Sequence, residues 1–506
     1  MATHLRSSSL FVPLGSAVVI AACTGAVAAT RPPAPRPIVT AALDAIGGEA
    51  RVRAIRDVHI KTVGSWSSVE ASERPEPPWN INYDQTEQWL DFERGAWRED
   101  GQFLSISRGA WAPFGAVAAD GVALTRFNGE TKPGGPVTLA DGAEQLLYQP
   151  YRLLLAALDA TDLRSEGDEV LAHQPNQIVA FHHDGLPIRL WIDARTHRLT
   201  AAEIVHAMPD DAFWRIRGDV HDRLVVSQWV REPSGLWFAR QYDLIRESVP
   251  YHTFAITSVE TNVATPVVFA IPDDIRAAYP ATARGPGSTP APGEQPITEL
   301  APGVWLAPAR RNGLLVAQPG GAVLVDAPIS EVYVGRELDE VQRRFGTPAA
   351  AVILTDHIIP ELSGVREAAA RGVAIRTLDA NRDFVAGLLA APHTLAPDAL
   401  ARSGRRAAVE AIAARSALGT GATRIELIPM RTTLGERVLL VWLPSARLLW
   451  VANMLDPDGS GHANPSRLAE LDDVVKREHV DVDRVVGAQL APTPWPSLHP
   501  AQPAGR

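Results

Sequence analysis

Ala351-Val-Ile-Leu-Thr-Asp-His-Ile-Ile-Pro-Glu-Leu-Ser-Gly-Val-Arg366 decides how the second half of the chain folds. Ala351 to Leu354 is an unbroken apolar run and reads as a short buried strand. A helix to Arg371 follows it. Upstream, Val304-Trp-Leu306, Gly313-Leu-Leu-Val-Ala317 and Ala322-Val-Leu-Val325 are strand-like, the last two as a hairpin. Between them and Ala351, a helix is predicted from Glu331 to Phe345. Val334, Leu338, Val341 and Phe345 share one face of it, Ser330 is placed to cap its start and Gly346 its end. Downstream come a strand at Val373-Ala-Ile-Arg-Thr377, paired strands Val438–Leu443 and Leu448–Ala452, and a helix opening at Asn464-Pro465. Leu468, Leu471 and Val475 lie on one side of that helix, and Arg484-Val-Val486 is a final strand. Strands alternating with helices make this an α/β region.

The whole chain has 506 residues, too many for one ordinary core, so two domains are expected. The net charge of −10 and the absence of a basic stripe argue against a nucleic-acid partner, because phosphate binding needs clustered Lys and Arg. Residues 1–29 read as an export signal: Arg6 precedes an apolar stretch, Leu10 to Ala22, too short to span a bilayer well. Ile20-Ala-Ala-Cys23 resembles a lipobox, in which Cys23, the single cysteine, becomes lipidated and anchors the protein to the outer membrane. The rival is plain secretion to the periplasm by cleavage after Ala26-Val-Ala28. Residues 30–37 form a Pro-rich spacer, residues 281–296 a Pro/Gly linker, and residues 496–506 a frayed tail.

Between spacer and linker, residues 38–280 read as a helix bearing Val39, Leu43 and Ile46, then mostly strands, with one helix from about Ala143 to Leu158. Asp184-Gly185, beside His182-His183, and Ser234-Gly235 mark hairpins. Trp191, Trp214, Trp229 and Trp237 read as core packing, or as the lining of an apolar ligand cavity in a curved sheet. Leu186–Leu199, Gly235-Leu-Trp-Phe-Ala239, Val259-Glu-Thr-Asn262 and Phe269-Ala-Ile-Pro272 resemble the outer-membrane lipoprotein-carrier type of half-barrel. That resemblance implies a mainly β (α+β) domain able to cradle an apolar molecule.

The order of elements in residues 297–495, with Val323-Leu-Val-Asp-Ala-Pro328 at the end of the first sheet, resembles the metallo-β-lactamase superfamily, an αββα sandwich. Thr394–Arg405, Leu443-Pro444 and Asp481-Val-Asp-Arg-Val-Val486 are similar to exported hydrolase-like members of it. The resemblance implies zinc, held by imidazoles and carboxylates at strand ends, which lowers the pKa of a bound water. The donors come from a T-H-x-H-x-D-H run, a later His, a bridging Asp and a last His. Anchored on Thr355 and Val365-Arg366, the run's four positions fall on Asp356, Ile358, Pro360 and Glu361. His357 falls between ligand positions, with its side chain expected to point elsewhere; a gapped alignment makes it the first ligand and leaves the others missing. The remaining positions correspond to Leu434, Asn453 and Gln489. Ile and Leu have no donor, and an amide is a poor zinc ligand.

Three functions follow. The first is an exported, non-catalytic pseudoenzyme that binds a small molecule or protein and carries no zinc. The second is a metallo-β-lactamase-type hydrolase with a site rebuilt from Asp356, Glu361, His357, Asn453 and Gln489, whose oxygens suit Ca²⁺ or Mg²⁺. The third is a carrier of lipid or another apolar ligand through the N-terminal domain. Otherwise Asp356 and Glu361 are expected to be a solvated or hydrogen-bonded remnant, and His393, His462 and His479 to face solvent.

Overall fold

The computed structural model describes residues 34–69, 72–105, 109–171, 173–282, 296–455 and 465–499. Cys23, the leader, most of the linker and His462 lie outside the described residues.

Residues 57–261 build one 13-stranded sheet. Every neighbouring pair in it is antiparallel. Asp57–Ser68 pairs with Val249–Thr261, so the first and last strands of the region meet in the middle of the sheet. The edges are Glu130–Pro133 and Arg164–Leu171. The sheet is therefore open and antiparallel. Pro35–Ala45 and Pro150–Asp159 pack on it through Val39, Leu43, Leu154 and Leu158. Two expectations are corrected. The spacer does not run through residue 37, because Pro35 already opens a helix; proline at the first turn removes no intrahelical hydrogen bond. The helix expected from Ala143 to Leu158 is two, Pro136–Leu147 and Pro150–Asp159, because Pro150 cannot continue a helix and biases Gln149 to an extended backbone (ψ 126°).

Residues 298–494 form two sheets. The seven-stranded one begins as an antiparallel meander and becomes parallel from Gly321–Val325 through Ala351–Leu354 and Ala374–Leu378 to Val409–Ile412. The six-stranded one carries Leu439–Leu443, Leu448–Trp450 and Arg484–Val486 at its centre. Val323, Val325 and Ile353 of one sheet pack against Val441, Leu443 and Trp450 of the other. The outer face of the first is covered by Glu331–Phe345, Val365–Ala370 and Arg382–Ala390, and that of the second by Pro465–Arg477. Helix, sheet, sheet, helix is an αββα sandwich. Its short strands are apolar on both faces because each sheet is buried on both sides.

Three details differ from expectation. Gly346 does end its helix in the left-handed conformation (φ 69°), but the Ser330 hydroxyl makes no capping bond and is buried without a partner. The tail is ordered further than expected: Trp495–Leu498 makes a turn, Leu498 packs against the second sheet's helix face, and His499 bonds Asp472. His393 is buried, its Nε2 3.3 Å from the carbonyl of Ile216, whereas His479 is exposed as expected.

The halves are joined by residues 211–219. Ile216 is fully buried in the helix-side core of the sandwich, and Arg215 pairs with Glu331. Asp219 accepts from the backbone N–H groups of Thr394 and Leu395 (2.9 Å each).

Candidate functional site

The strand Ala351–Leu354 ends at Thr355, which is fully buried. Its hydroxyl donates to Asp326 (2.7 Å), its N–H does so too (2.7 Å), and Trp450 Nε1 lies 3.2 Å from both Thr355 Oγ1 and Asp326 Oδ2. This knot locks the C-terminal ends of strands in the two facing sheets. Burial, reinforced by the nearby Asp356 charge, pushes the Asp326 carboxyl up to about 8 despite those donors.

Asp356 follows. One oxygen accepts from the N–H of Ile358 (2.8 Å), and Oδ2 is buried without a partner. Burial raises it to about 6. His357 turns away from the carboxylates: its Nε2 lies 2.9 Å from the carbonyl of Ser72, in the N-terminal half, and burial lowers it to about 4. Ile358 and Pro360 are buried. Glu361 is 1% exposed, and neither oxygen accepts a hydrogen bond. Burial, with Asp356 adding to it, pushes Glu361 well above the usual carboxylate range. Of the expected solvated or hydrogen-bonded remnant, only the second holds, and only for Asp356: both carboxyls are sealed from solvent, Asp356 being 2% exposed, and Glu361 accepts no hydrogen bond.

Arg311 is the cation of this place. Its Nη1 lies 3.5 Å from Glu361 Oε1 and 3.5 Å from Asn453 Oδ1. Gln489 Nε2 donates to the same Asn453 oxygen at 2.9 Å, and Arg467 donates to the Asn453 carbonyl at 3.1 Å. Glu361 and Asn453 are therefore brought together at the Arg311 guanidinium, with Gln489 joined through Asn453, and Asp356 feels the charge of Arg311 and Arg467. Leu434 is linked elsewhere, its N–H donating to Glu470 (2.9 Å). The segment Ser72–Trp79, between the first two strands of the large sheet, closes over the site. Besides Ser72 on His357, Glu76 pairs with Arg437 (2.6 Å), Arg74 with Glu436 (2.7 Å) and Glu73 with Arg467 (3.7 Å).

These residues do not fit a zinc ion. Asp356 and Glu361 do offer unpartnered oxygens. Yet a fixed guanidinium sits beside them, Asn453 is engaged, and His357 faces the other way. Among the described residues, the group of three donors that converge within 4.8 Å lies elsewhere, at Glu144, His206 and Asp222 of the N-terminal half.

That second cluster is also built around an arginine. Asp222 accepts from Arg246 Nε (2.7 Å) and Nη2 (2.6 Å) and from the Tyr148 hydroxyl (2.5 Å), and lies 3.0 Å from His206 Nε2. Glu144 accepts from Arg246 Nη2 at 2.9 Å. Burial works against the Asp222 charge, but Arg246 and then His206 outweigh it and hold the carboxyl well below its ordinary range. Glu144 and Tyr148 are pushed up, chiefly by burial. The Arg246 guanidinium supplies the positive charge paired with Asp222 and Glu144. Glu144, Tyr148 and His206 face a cavity of about 810 Å³. The tryptophans follow the first of their two readings, core packing: Trp191 and Trp214 are buried, Trp229 and Trp237 pack against the core, and none of the four lines this cavity.

Sequence reading missed Arg311, Arg246 and the Asp222 network. Asp222 had a visible signal. It is in phase with the buried Val220, Leu224 and Val226, and a carboxylate on the inward face of a strand needs a partner; Arg246 is directly opposite. Arg311 sits in a loop with no periodicity to flag it.

No protein-family model matches the sequence, and no curated protein matches it. Among solved structures, the chain is similar to a metallo-β-lactamase from Pontibacter korlensis at 17% identity and a TM-score of 0.32, over 41% of this chain and 100% of that one. A metallo-β-lactamase from Erythrobacter litoralis gives 17% identity and a TM-score of 0.31, over 41% of this chain and 93% of that one. The DIM-1 metallo-β-lactamase gives 15% and 0.31, over 40% and 94%.

Proposed function

We propose that the chain is an exported, non-catalytic protein of the metallo-β-lactamase superfamily, in which the αββα sandwich is a scaffold and a small apolar ligand is taken up by the N-terminal half. The observation that carries this is Arg311: a permanent cation lies against Glu361 and Asn453, two of the positions where metal ligands are expected, under a lid formed by Ser72–Trp79. The ligand's place is the cavity of about 810 Å³, within the range of roughly 300–1,000 Å³ that small-molecule sites occupy. The anchored form lipidated at Cys23 and the form cleaved after Ala28 both fit an exported carrier.

The test is elemental analysis of the full-length protein after purification without chelators, together with native mass spectrometry. Substoichiometric zinc, no hydrolysis of a β-lactam or thioester, and a co-purifying small molecule are expected. Stoichiometric, tightly held metal would instead support the second reading, a hydrolase with a rebuilt site, which the unpartnered oxygens of Asp356 and Glu361 favour.

A further inference from the structure

We propose that the cavity of the N-terminal half binds a long-chain amphiphile whose head group donates a hydrogen bond, with Nδ1 of His206 as the acceptor. This rests on the reading of that cavity as the ligand site and adds the chemical class of the ligand.

The apolar part follows from the walls. Phe92, Leu147, Leu155, Leu186, Ile204 and Met208 line the cavity and offer a surface on which an alkyl chain replaces water. The head group follows from the wiring of His206. Asp222 is ionised and already accepts three hydrogen bonds from Arg246 and Tyr148, so the His206 nitrogen facing it must carry the proton. Nε2–H is thereby spent on Asp222. In the neutral ring Nδ1 is left with a lone pair, and it has no hydrogen-bond partner among the described residues. The ring is part of the cavity wall, so this acceptor meets the ligand. An acceptor in a largely apolar cavity favours a ligand that donates to it. Arg246 does not serve a carboxylate head instead: it is not on the cavity lining, and its Nε and Nη2 are committed to Asp222 and Glu144. The lining carries Asp210 and Asp211, and its two arginines are engaged, Arg53 with Glu49 and Asp159 and Arg152 over the Phe92 ring. An alcohol or an amine donates to this acceptor; a carboxylate has no proton to give it.

The experiment is calorimetric titration of the full-length protein with 1-decanol, decylamine and decanoate at pH 8. Decanol and decylamine are expected to bind about tenfold or more tightly than decanoate, the worth of one buried hydrogen bond. His206→Phe should weaken decanol by about that factor and bring the three probes close together. Ala143→Trp, on an exposed position of the lining, should abolish binding of all three without changing the unfolding midpoint. Decanoate binding as tightly as decanol, or a ranking unchanged in His206→Phe, overturns the proposal. If decanoate binds best and Ala143→Trp abolishes it, the head-group assignment falls and the cavity remains the ligand site. If no probe binds and the protein carries no co-purified molecule, both fall.

Discussion

Arg311 and Thr355 show how single residues decide the chemistry of the C-terminal site. Arg311 is the near cation to a buried Glu361 that is already driven toward its neutral form. Arg311→Met should cost about 1–3 kcal/mol, because it leaves a buried acid without its counter-ion. The loss should grow as pH rises, since Glu361 then has to be kept protonated; urea unfolding at pH 6 and pH 9 measures both. A loss that is the same at both pH values would contradict the role given to Arg311. Thr355→Val keeps the shape but removes the hydroxyl between Asp326 and Trp450. It should cost about 1–3 kcal/mol in the same assay. The identities at Ile358, Pro360 and Leu434 were legible as an absence of donors, which needs no coordinates. The guanidinium that lies at Glu361 and Asn453 was not legible, because it arrives from a loop 50 residues upstream of Glu361 and only folding brings it there.

At the scale of elements, local pattern and local structure agree where one side chain per turn or per strand repeat carries the signal. Val334, Leu338 and Val341 are buried as their spacing requires, and the apolar run Ala351–Leu354 is a strand buried on both faces. Disagreement comes where packing sets the outcome. Ser330 occupies the capping position of Glu331–Phe345, yet its hydroxyl is buried without a partner. Ser330→Ala should therefore be neutral or slightly stabilising, where a working cap would lose about 1 kcal/mol. The thermal midpoint distinguishes the two. Gly364 gives the opposite case. A Cβ there would meet Val334 Cγ2 at 2.3 Å and the Ser330 carbonyl at 2.5 Å, neither free to move. Gly364→Ala should destabilise by about 1–3 kcal/mol through overpacking.

Across the whole molecule, buried acids couple stability to pH. Glu337 is buried in the sandwich, and burial pushes it up to about 8 from an ordinary 4.5, with Asp326 acting the same way. A folded-state pKa raised above the unfolded value gives stability that is complete below the unfolded pKa and is lost as pH climbs through the folded one. The protein should therefore lose stability between about pH 5 and pH 9, at a rate of roughly 1.4 kcal/mol per pH unit at most for each such group. Glu337→Gln should flatten that slope, as followed by unfolding midpoints across the range; an unchanged slope would show that Glu337 is not protonated in the fold.

From its sequence alone, the chain determined an α/β second half, a mainly β first half and the absence of donor side chains at Ile358 and Pro360, beyond the end of one strand. Those properties are local: they depend on which residues stand three, four or two apart, or on a side chain having no donor atom at all. Tertiary structure alone decided that Asp356 and Glu361 are sealed from solvent. Arg311, Ser72 and Asn453 come from segments far apart in the chain, and low-dielectric burial, not spacing, raises Glu361 and turns His357 toward Ser72. The Asp222 network has the same origin, since only the pairing of two strands sets Arg246 opposite a carboxylate that faces the core.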